Sequence, residues 1–313
     1  MTGPIEILYV GGWGRSGSTL LDRMVGRLPG FVSVGEAREL WRRGVLENRL
    51  CGCGVAFLDC PFWTEVGLEA YGGWSMELAS EMEADGRRLD SLGHMGWLRE
   101  RAGSSDAARA YLKRLAPLYR AARDVGEAKI VVDSSKLPNY AVLLRASFDV
   151  DLRLAHLVRD SRGVANSWRK EITRVDATEE PGLMERYGAL AASARYLVYN
   201  ALTERLSHRL PHATRVRYED LVAHPYETLS GMLHALGEPA GPDAFGWLHG
   251  TVADLGVSHT VDGNPMRMQQ GPVPLVADGT WREQLPARER SVVTGLTLPL
   301  LWHYRYLEWS PAA

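Results

Sequence analysis

The sequence has 313 residues, 45% of them apolar, enough for a sizeable core in one large α/β domain or two smaller ones. A net charge of −2 gives no basis for nucleic acid or an acidic membrane as partner. No run approaches the ~18 uninterrupted apolar residues of a membrane span. The N-terminus has no basic region and Ile5–Val10 is too short for a signal peptide, so a cytoplasmic protein is expected.

Ile5–Val10 is apolar and partly β-branched and reads as a buried strand. A glycine-rich turn follows, then an apolar-periodic run over Leu20–Leu28 that predicts a helix. This order sets the backbone N–H groups of Arg15 to Thr19 at a helix N-terminus, where unpaired donors and the helix dipole favour a phosphate. Two patterns overlap here. Gly12-Trp-Gly14-Arg-Ser-Gly17 fits the dinucleotide fingerprint, and Gly12-x4-Gly17-Ser18-Thr19 fits the P-loop with Ser18 in place of its lysine. That lysine neutralises nucleoside triphosphates, so its absence favours a smaller anion held by Arg15, Ser16, Ser18 and Thr19. A plain glycine turn without a ligand is the competing reading.

Phe31–Val34 is a second short strand, and Glu36 stands between it and a helical stretch, Ala37–Arg43. The ends of strands are where ligands bind in open α/β sheets, although a carboxylate also suits a helix first turn. Cys51, Cys53 and Cys60 lie in an irregular segment, Leu50–Trp63. An odd number of cysteines argues against a disulfide framework. Three thiolates without a clear fourth ligand read as packed hydrophobic thiols rather than a metal site, and the spacing leaves their role open. Residues ~65–125 are mostly helical by pattern, with Ala108–Val125 the clearest helix. Trp74, Trp97, Met76, Met82 and Met95 are read as core.

Lys129–Val132 is a strand with Asp133-Ser134-Ser135-Lys136 at its end, followed by a helix over Asn139–Ser147 and a strand over Leu152–Val158. That is a βαβ unit and implies a parallel sheet. The chain has only four lysines, so Lys136 at a strand end stands out against the alternative of a solvated surface residue. Arg159 opens a second strand-to-helix turn, with Ser167 two turns along the helix; Arg is the natural bidentate phosphate partner. Gly182–Leu206 reads as a long helix, Thr214–Tyr218 as a strand, Tyr226–Leu236 as a helix and Arg288–Tyr304 as another. His208 and His212 are four apart, but Pro211 between them argues against a helical metal pair. Gly256–Gly271 is a long polar loop with Ser258, His259, Asn264 and Arg267, and long loops of this kind are commonly functional.

Four of these stretches, in order, resemble the sulfotransferases that use 3′-phosphoadenosine 5′-phosphosulfate (PAPS). GRSGSTLL at Gly14–Leu21 is similar to the family's 5′-phosphosulfate loop, and LVRDSRGVANSW at Leu157–Trp168 to its 3′-phosphate motif. RYEDLVAHP at Arg217–Pro225 is similar to the segment beside the nucleotide, and HTVDGNPMRMQQG at His259–Gly271 to the loop that closes over it. The resemblance implies a P-loop NTPase-like α/β fold, a central parallel sheet flanked by helices. It implies one domain over 1–313 with a mostly helical, cysteine-containing insertion at about 41–126. Arg15, Ser16, Gly17, Ser18 and Thr19 would hold the 5′-phosphosulfate, and Arg159 and Ser167 the 3′-phosphate. Tyr218 would lie near adenine, with Ser258 and Arg267 adding contacts from the closing loop.

VGEAREL resembles the tyrosylprotein-sulfotransferase branch, which makes Glu36 the expected base, and Lys136 resembles the lysine that bridges toward the sulfuryl group. The cytosolic branch's loop lysine is Arg15 here, and its catalytic histidine has no evident counterpart, which leaves Glu36 as the preferred base, with His259 the next candidate. The expected reaction is transfer of the sulfuryl group from PAPS to a small-molecule hydroxyl, less readily an amine, releasing 3′-phosphoadenosine 5′-phosphate (PAP), with no metal. An arginine-rich, lysine-poor composition suits a bacterial source and natural-product or glycolipid acceptors. The other readings are a P-loop-like kinase or hydrolase using ATP and Mg²⁺, and an NAD(P)-dependent oxidoreductase. Oligomeric state is not legible.

Overall fold

The computed structural model describes residues 3–90, 105–147, 150–177 and 182–307. Trp97 and Met95 lie outside them. β1 (Ile5–Gly12) leads into α1 (Ser18–Val25) and returns in β2 (Phe31–Gly35). A 3-10 turn, Ala37–Glu39, and a π-helical stretch, Leu40–Leu46, replace the ordinary helix expected over 37–43. Three helices follow: α2 (Pro61–Tyr71), α3 (Met76–Leu89) and α4 (Asp106–Val125). Serines at 75 and 105 cap the last two by accepting hydrogen bonds from Leu78 N and Ala108 N.

The chain then alternates β3 (Ile130–Lys136), α5 (Pro138–Arg145), β4 (Val150–Val158), α6 (Ser161–Arg169), α7 (Ala189–Ser207) and β5 (Ala213–Arg217). It continues through α8 (Tyr218–Ala223) and α9 (Pro225–Ala235), a small antiparallel sheet of β6 (Leu248–His249), β7 (Val252–Leu255) and β8 (Gly271–Pro274), and ends in α10 (Trp281–Gln284) and α11 (Ala287–His303). The main sheet is wholly parallel with strand order β2-β3-β1-β4-β5. This is the α/β architecture expected, a central parallel sheet between helices.

β1 explains why the sheet is closed on both faces. Ile5, Ile7 and Tyr9 enter one core cluster with α2, α4 and α5, while Leu8 and Val10 enter another with α1 and α9. Both alternating faces are apolar, the pattern of a central parallel strand. The first cluster runs without a break from β1 to Trp41, Cys60, Trp63 and Tyr119, so the cysteine segment and α2–α4 share the sheet's core.

Two expected elements differ. The strand after residue 129 extends through DSSK to Lys136, and Asp133 Oδ1 accepts hydrogen bonds from both N–H and Oγ–H of Ser135 within that end. The helix expected from Gly182 starts at Ala189. Residues 182–188 instead run beside the 172–174 segment, where Arg174 N donates to Gly182 O at 2.7 Å and Met184 N to Ile172 O at 2.9 Å.

Leu154 is fully buried in β4 and packs on Gly11 of β1. Leu154→Ala is expected to lower stability by about 2–5 kcal/mol through lost burial and a residual cavity. A chemical-denaturation midpoint indistinguishable from the parent's would contradict this packing.

Candidate active site

All five parallel strands deliver a side chain to one rim of the sheet. β1 runs into the turn of Arg15 and Gly17, β2 into Glu36, β3 ends in Lys136, β4 runs into Arg159 and β5 into Tyr218. These residues line one cleft of about 440 Å³, with Ser18, Thr19 and Ser167. The carboxyl ends of a parallel sheet are where such folds bind ligands.

The glycine turn packs tightly. Gly17 caps α1 with φ 95°, in the left-handed region, and a Cβ there would sit 2.5 Å from the Tyr218 ring. Arg15 also has φ 68°. Gly17 O accepts from Leu20 N and Leu21 N, the first helical bonds of α1, so the N–H groups of Ser18 and Thr19 lie ahead of them at the helix start. Thr19 Oγ1 accepts from Asn264 N at 3.1 Å. Ser16 differs from its neighbours: it is 1% exposed, outside the lining of the cleft, and its Oγ has no hydrogen-bond partner among the described residues.

Glu36 Oε1 forms an ion pair with Lys136 Nζ. Burial raises the Glu36 carboxyl to about 7 even though the ammonium beside it pulls the other way. Lys136 has φ 69°, and its turn is fixed from behind: Tyr119 donates to Asp133 at 2.6 Å and Arg38 N donates to Ser135 Oγ at 3.0 Å. Asp262, at φ 53°, closes the same corner through ion pairs with Arg43 (2.9 Å) and Arg174 (3.2 Å). Three non-glycine residues in left-handed conformation thus meet in one cleft, a concentration of strain typical of functional sites.

At the opposite end, Arg159 is 6% exposed, donates to Arg15 O (3.1 Å) and lies over the Tyr218 ring, 4.5 Å from its centre. Its Nη2 pairs with Asp278 at 3.1 Å, and Lys170 stands 3.5 Å from the same carboxylate. Partial burial would raise Asp278, but the Thr280 hydrogen bonds and the Arg159 and Lys170 cations hold it down to about 2.

The polar loop at 256–271 divides its residues differently from expectation. Its middle bridges to β2: Glu36 N donates to Val261 O (2.8 Å) and Val261 N to Val34 O (3.0 Å). This carries Asp262, Gly263 and Asn264 into the cleft. Ser258 and Arg267 stay out of it. Ser258 Oγ lies 3.3 Å from Thr260 Oγ1, and Arg267, 1% exposed, donates to Thr260 O and Leu50 O and pairs with Asp176. His259 is also outside: its Nδ1 lies 3.2 Å from Cys60 Sγ.

Sequence pattern missed the aromatic and arginine side of the cleft. Trp13 stacks on Trp168 (5.3 Å between ring centres) and packs on Tyr199 (4.5 Å), with Tyr187 against both tryptophans. Arg195 lies 4.5 Å from the Tyr187 ring centre, and Arg15 donates to Met184 Sδ. The only signal in the sequence was a tryptophan inside a glycine turn.

Gly17→Ala should lower the thermal midpoint, because it combines left-handed strain, of order 1–3 kcal/mol, with a clash against Tyr218. In Gly17→Ala/Tyr218→Ala the loss should be less than additive, since the clash is gone. Strict additivity in that cycle would mean Gly17 and Tyr218 are not in contact.

The sulfotransferase family model matches residues 62–242, a stretch that holds Lys136, Arg159, Ser167 and Tyr218 but not the glycine turn or Glu36. No curated protein matches the sequence. Among solved structures, the sulfotransferase domain of the Synechococcus PCC 7002 olefin synthase superposes with a TM-score of 0.51 at 19% identity, covering 96% of each chain. The sulfotransferase domain from the curacin biosynthetic pathway gives 0.51 at 17% identity, over 95% of this chain and 97% of that one. These two likenesses are likenesses of fold. The family match spans more than half of the sequence, and the chain belongs to the sulfotransferase family.

Proposed function

We propose that the protein transfers the sulfuryl group of PAPS to a hydroxyl group of a small molecule, releasing PAP. The observation that carries this reading is the half-buried Glu36–Lys136 pair, a proton acceptor beside a cation, in a cleft that also holds Arg159 and Ser167. A cradle for an extended anion suits the chain's own features. The Gly17 turn allows close backbone approach.

In this reading Arg15, Ser18, Thr19 and the N–H groups of residues 15–19 hold the 5′-phosphosulfate, with Ser16 supporting the turn. Arg159 and Ser167 hold the 3′-phosphate, and adenine packs beside Tyr218. PAPS supplies an activated sulfuryl group whose transfer is in-line with a loose transition state, so positioning and charge stabilisation carry most of the catalysis. Glu36 takes the proton of the acceptor hydroxyl as its oxygen bonds to sulfur. Lys136 and Arg15 offset the charge that grows on the departing phosphate oxygen. The wall of Trp13, Trp168, Tyr187 and Tyr199 is where a hydrophobic acceptor, a natural product or a glycolipid headgroup, would rest. A less favoured acceptor is an amine.

Glu36→Gln should lower turnover by ~10²–10⁴ while leaving PAP affinity unchanged. Because burial raises the Glu36 pKa to about 7, the rate of the parent enzyme should fall as pH drops through that value. Lys136→Met removes the cation that pulls this pKa down, so its acid limb should move to higher pH. A limb that stays in place would separate Glu36 from the base role.

PAP should raise the thermal midpoint, and ATP–Mg²⁺ and NAD(P)⁺ should not; a ligand at 100 times its dissociation constant stabilises by about 2.7 kcal/mol. Arg159→Ala should weaken PAP binding. A response only to ATP–Mg²⁺ or NAD(P)⁺ would favour the kinase or oxidoreductase readings and refute this one.

A further inference from the structure

Outside the cleft, the fold gathers its three cysteines around one histidine, a juxtaposition the spacing of Cys51, Cys53 and Cys60 does not reveal. Cys60 Sγ lies 3.6 Å from Cys51 Sγ and 3.7 Å from Cys53 Sγ. His259 Nδ1, 199 residues further along the chain than Cys60, lies 3.2 Å from Cys60 Sγ and 3.7 Å from Cys51 Sγ. All four donor atoms fall within 4.8 Å of one another.

These separations fit one kind of occupant. A disulfide needs sulfurs about 2.05 Å apart, and none of these pairs approaches that. Bonds of about 2.3 Å to sulfur and 2.0–2.1 Å to nitrogen, arranged tetrahedrally, put neighbouring sulfurs about 3.8 Å apart and sulfur and nitrogen about 3.6 Å apart. The set is three thiolates and one imidazole, buried or half-buried, on a short C-x-C turn with a distant fourth ligand. Four protein ligands leave no open position, which marks a structural site rather than a catalytic one.

The surroundings hold the ligand-bearing segments in place. Trp63 Nε1 donates to His259 O at 2.8 Å, and the imidazole stacks on Phe62 at 5.0 Å and 12°. Gly54 N donates to Cys51 O and Cys51 N to Val55 O, closing the turn that carries two of the thiols. Gly52 between them passes so close to the partner loop that a Cβ would meet Ser258 O and Thr260 Oγ1 at 2.7 Å.

We propose that Cys51, Cys53, Cys60 and His259 bind one zinc ion, which staples the cysteine turn to the loop that carries Asp262, Gly263 and Asn264 into the cleft. The metal takes no part in sulfuryl transfer, and the proposal stands whichever donor or acceptor the cleft uses. Soft thiolates with imidazole in a closed tetrahedral set favour Zn²⁺ over Mg²⁺, Ca²⁺ or Mn²⁺.

The test is elemental analysis of the full chain, freed of any affinity tag and purified under reducing conditions without chelator. It should hold one zinc per chain. Cobalt exchanged into the site should show the intense visible bands of a tetrahedral thiolate complex. Cys53→Ser alters the ligand with the most exposed thiol, and should lose zinc to a chromophoric chelator faster and at lower chelator concentration than the parent. Stripping zinc from the parent should accelerate amide exchange in 258–264. Absence of stoichiometric zinc, three freely titrating thiols in the native protein, or a Cys53→Ser variant that holds zinc as tightly as the parent would each overturn the site. Equal exchange with and without zinc would overturn the staple.

Discussion

The site depends on one half-buried ion pair. Withdrawing most of the Glu36 carboxylate from water is costly unless a cation and further hydrogen bonds compensate it, and Lys136 is the cation in contact with it. Holding Lys136 there forces its backbone into a left-handed conformation, and the Asp133–Ser135–Tyr119 hydrogen bonds behind it stabilise that turn. Because Tyr119 belongs to α4 and Arg38 N reaches Ser135 from the turn after β2, the geometry of one charge pair draws on β2, β3 and the helical segment between them.

The polar loop after β7 shows a division of labour set by where each residue can be anchored. Val261 pairs with the end of β2 and fixes the loop's depth. Thr260 and Arg267 turn inward, where the Arg267 guanidinium, nearly devoid of solvent, is satisfied by two carbonyl oxygens and Asp176. Asp262, Gly263, Asn264 and Met266 are left to face the cleft, and Gly263 has to be small: a Cβ there would stand 3.0 Å from Thr19 Oγ1. The loop can be long and irregular yet well determined because its outward neighbours are fastened to the cysteine turn and to Leu50.

Much of this was legible in the residues. The uninterrupted apolar character of Ile5–Val10 signals a strand buried on both faces, and alternation of strand, polar turn and helix signals a parallel sheet. Arg15, Ser18, Thr19, Glu36, Lys136 and Arg159 stand out at a strand end or helix start, Ser167 by its spacing from Arg159 and Tyr218 by the family resemblance, and the fold brings all eight to one cleft. Strand-end positions are readable because a parallel sheet sends every strand's carboxyl end to the same rim. Ser258 and Arg267 lie outside that cleft, and an irregular loop has no period from which to infer which side chains turn in.

Sequence alone therefore determined the sheet, its active rim and the residues delivered by its strands, since each follows from local patterning repeated in a fixed topology. Only the tertiary structure decided what meets across long separations. It paired Glu36 with Lys136, gathered Trp13, Trp168, Tyr187 and Tyr199 into one wall, and set His259 among three cysteines some 200 residues earlier in the chain. Spacing along a chain limits contacts between near neighbours and says nothing of contacts made when distant loops are pressed together by the burial of the core between them.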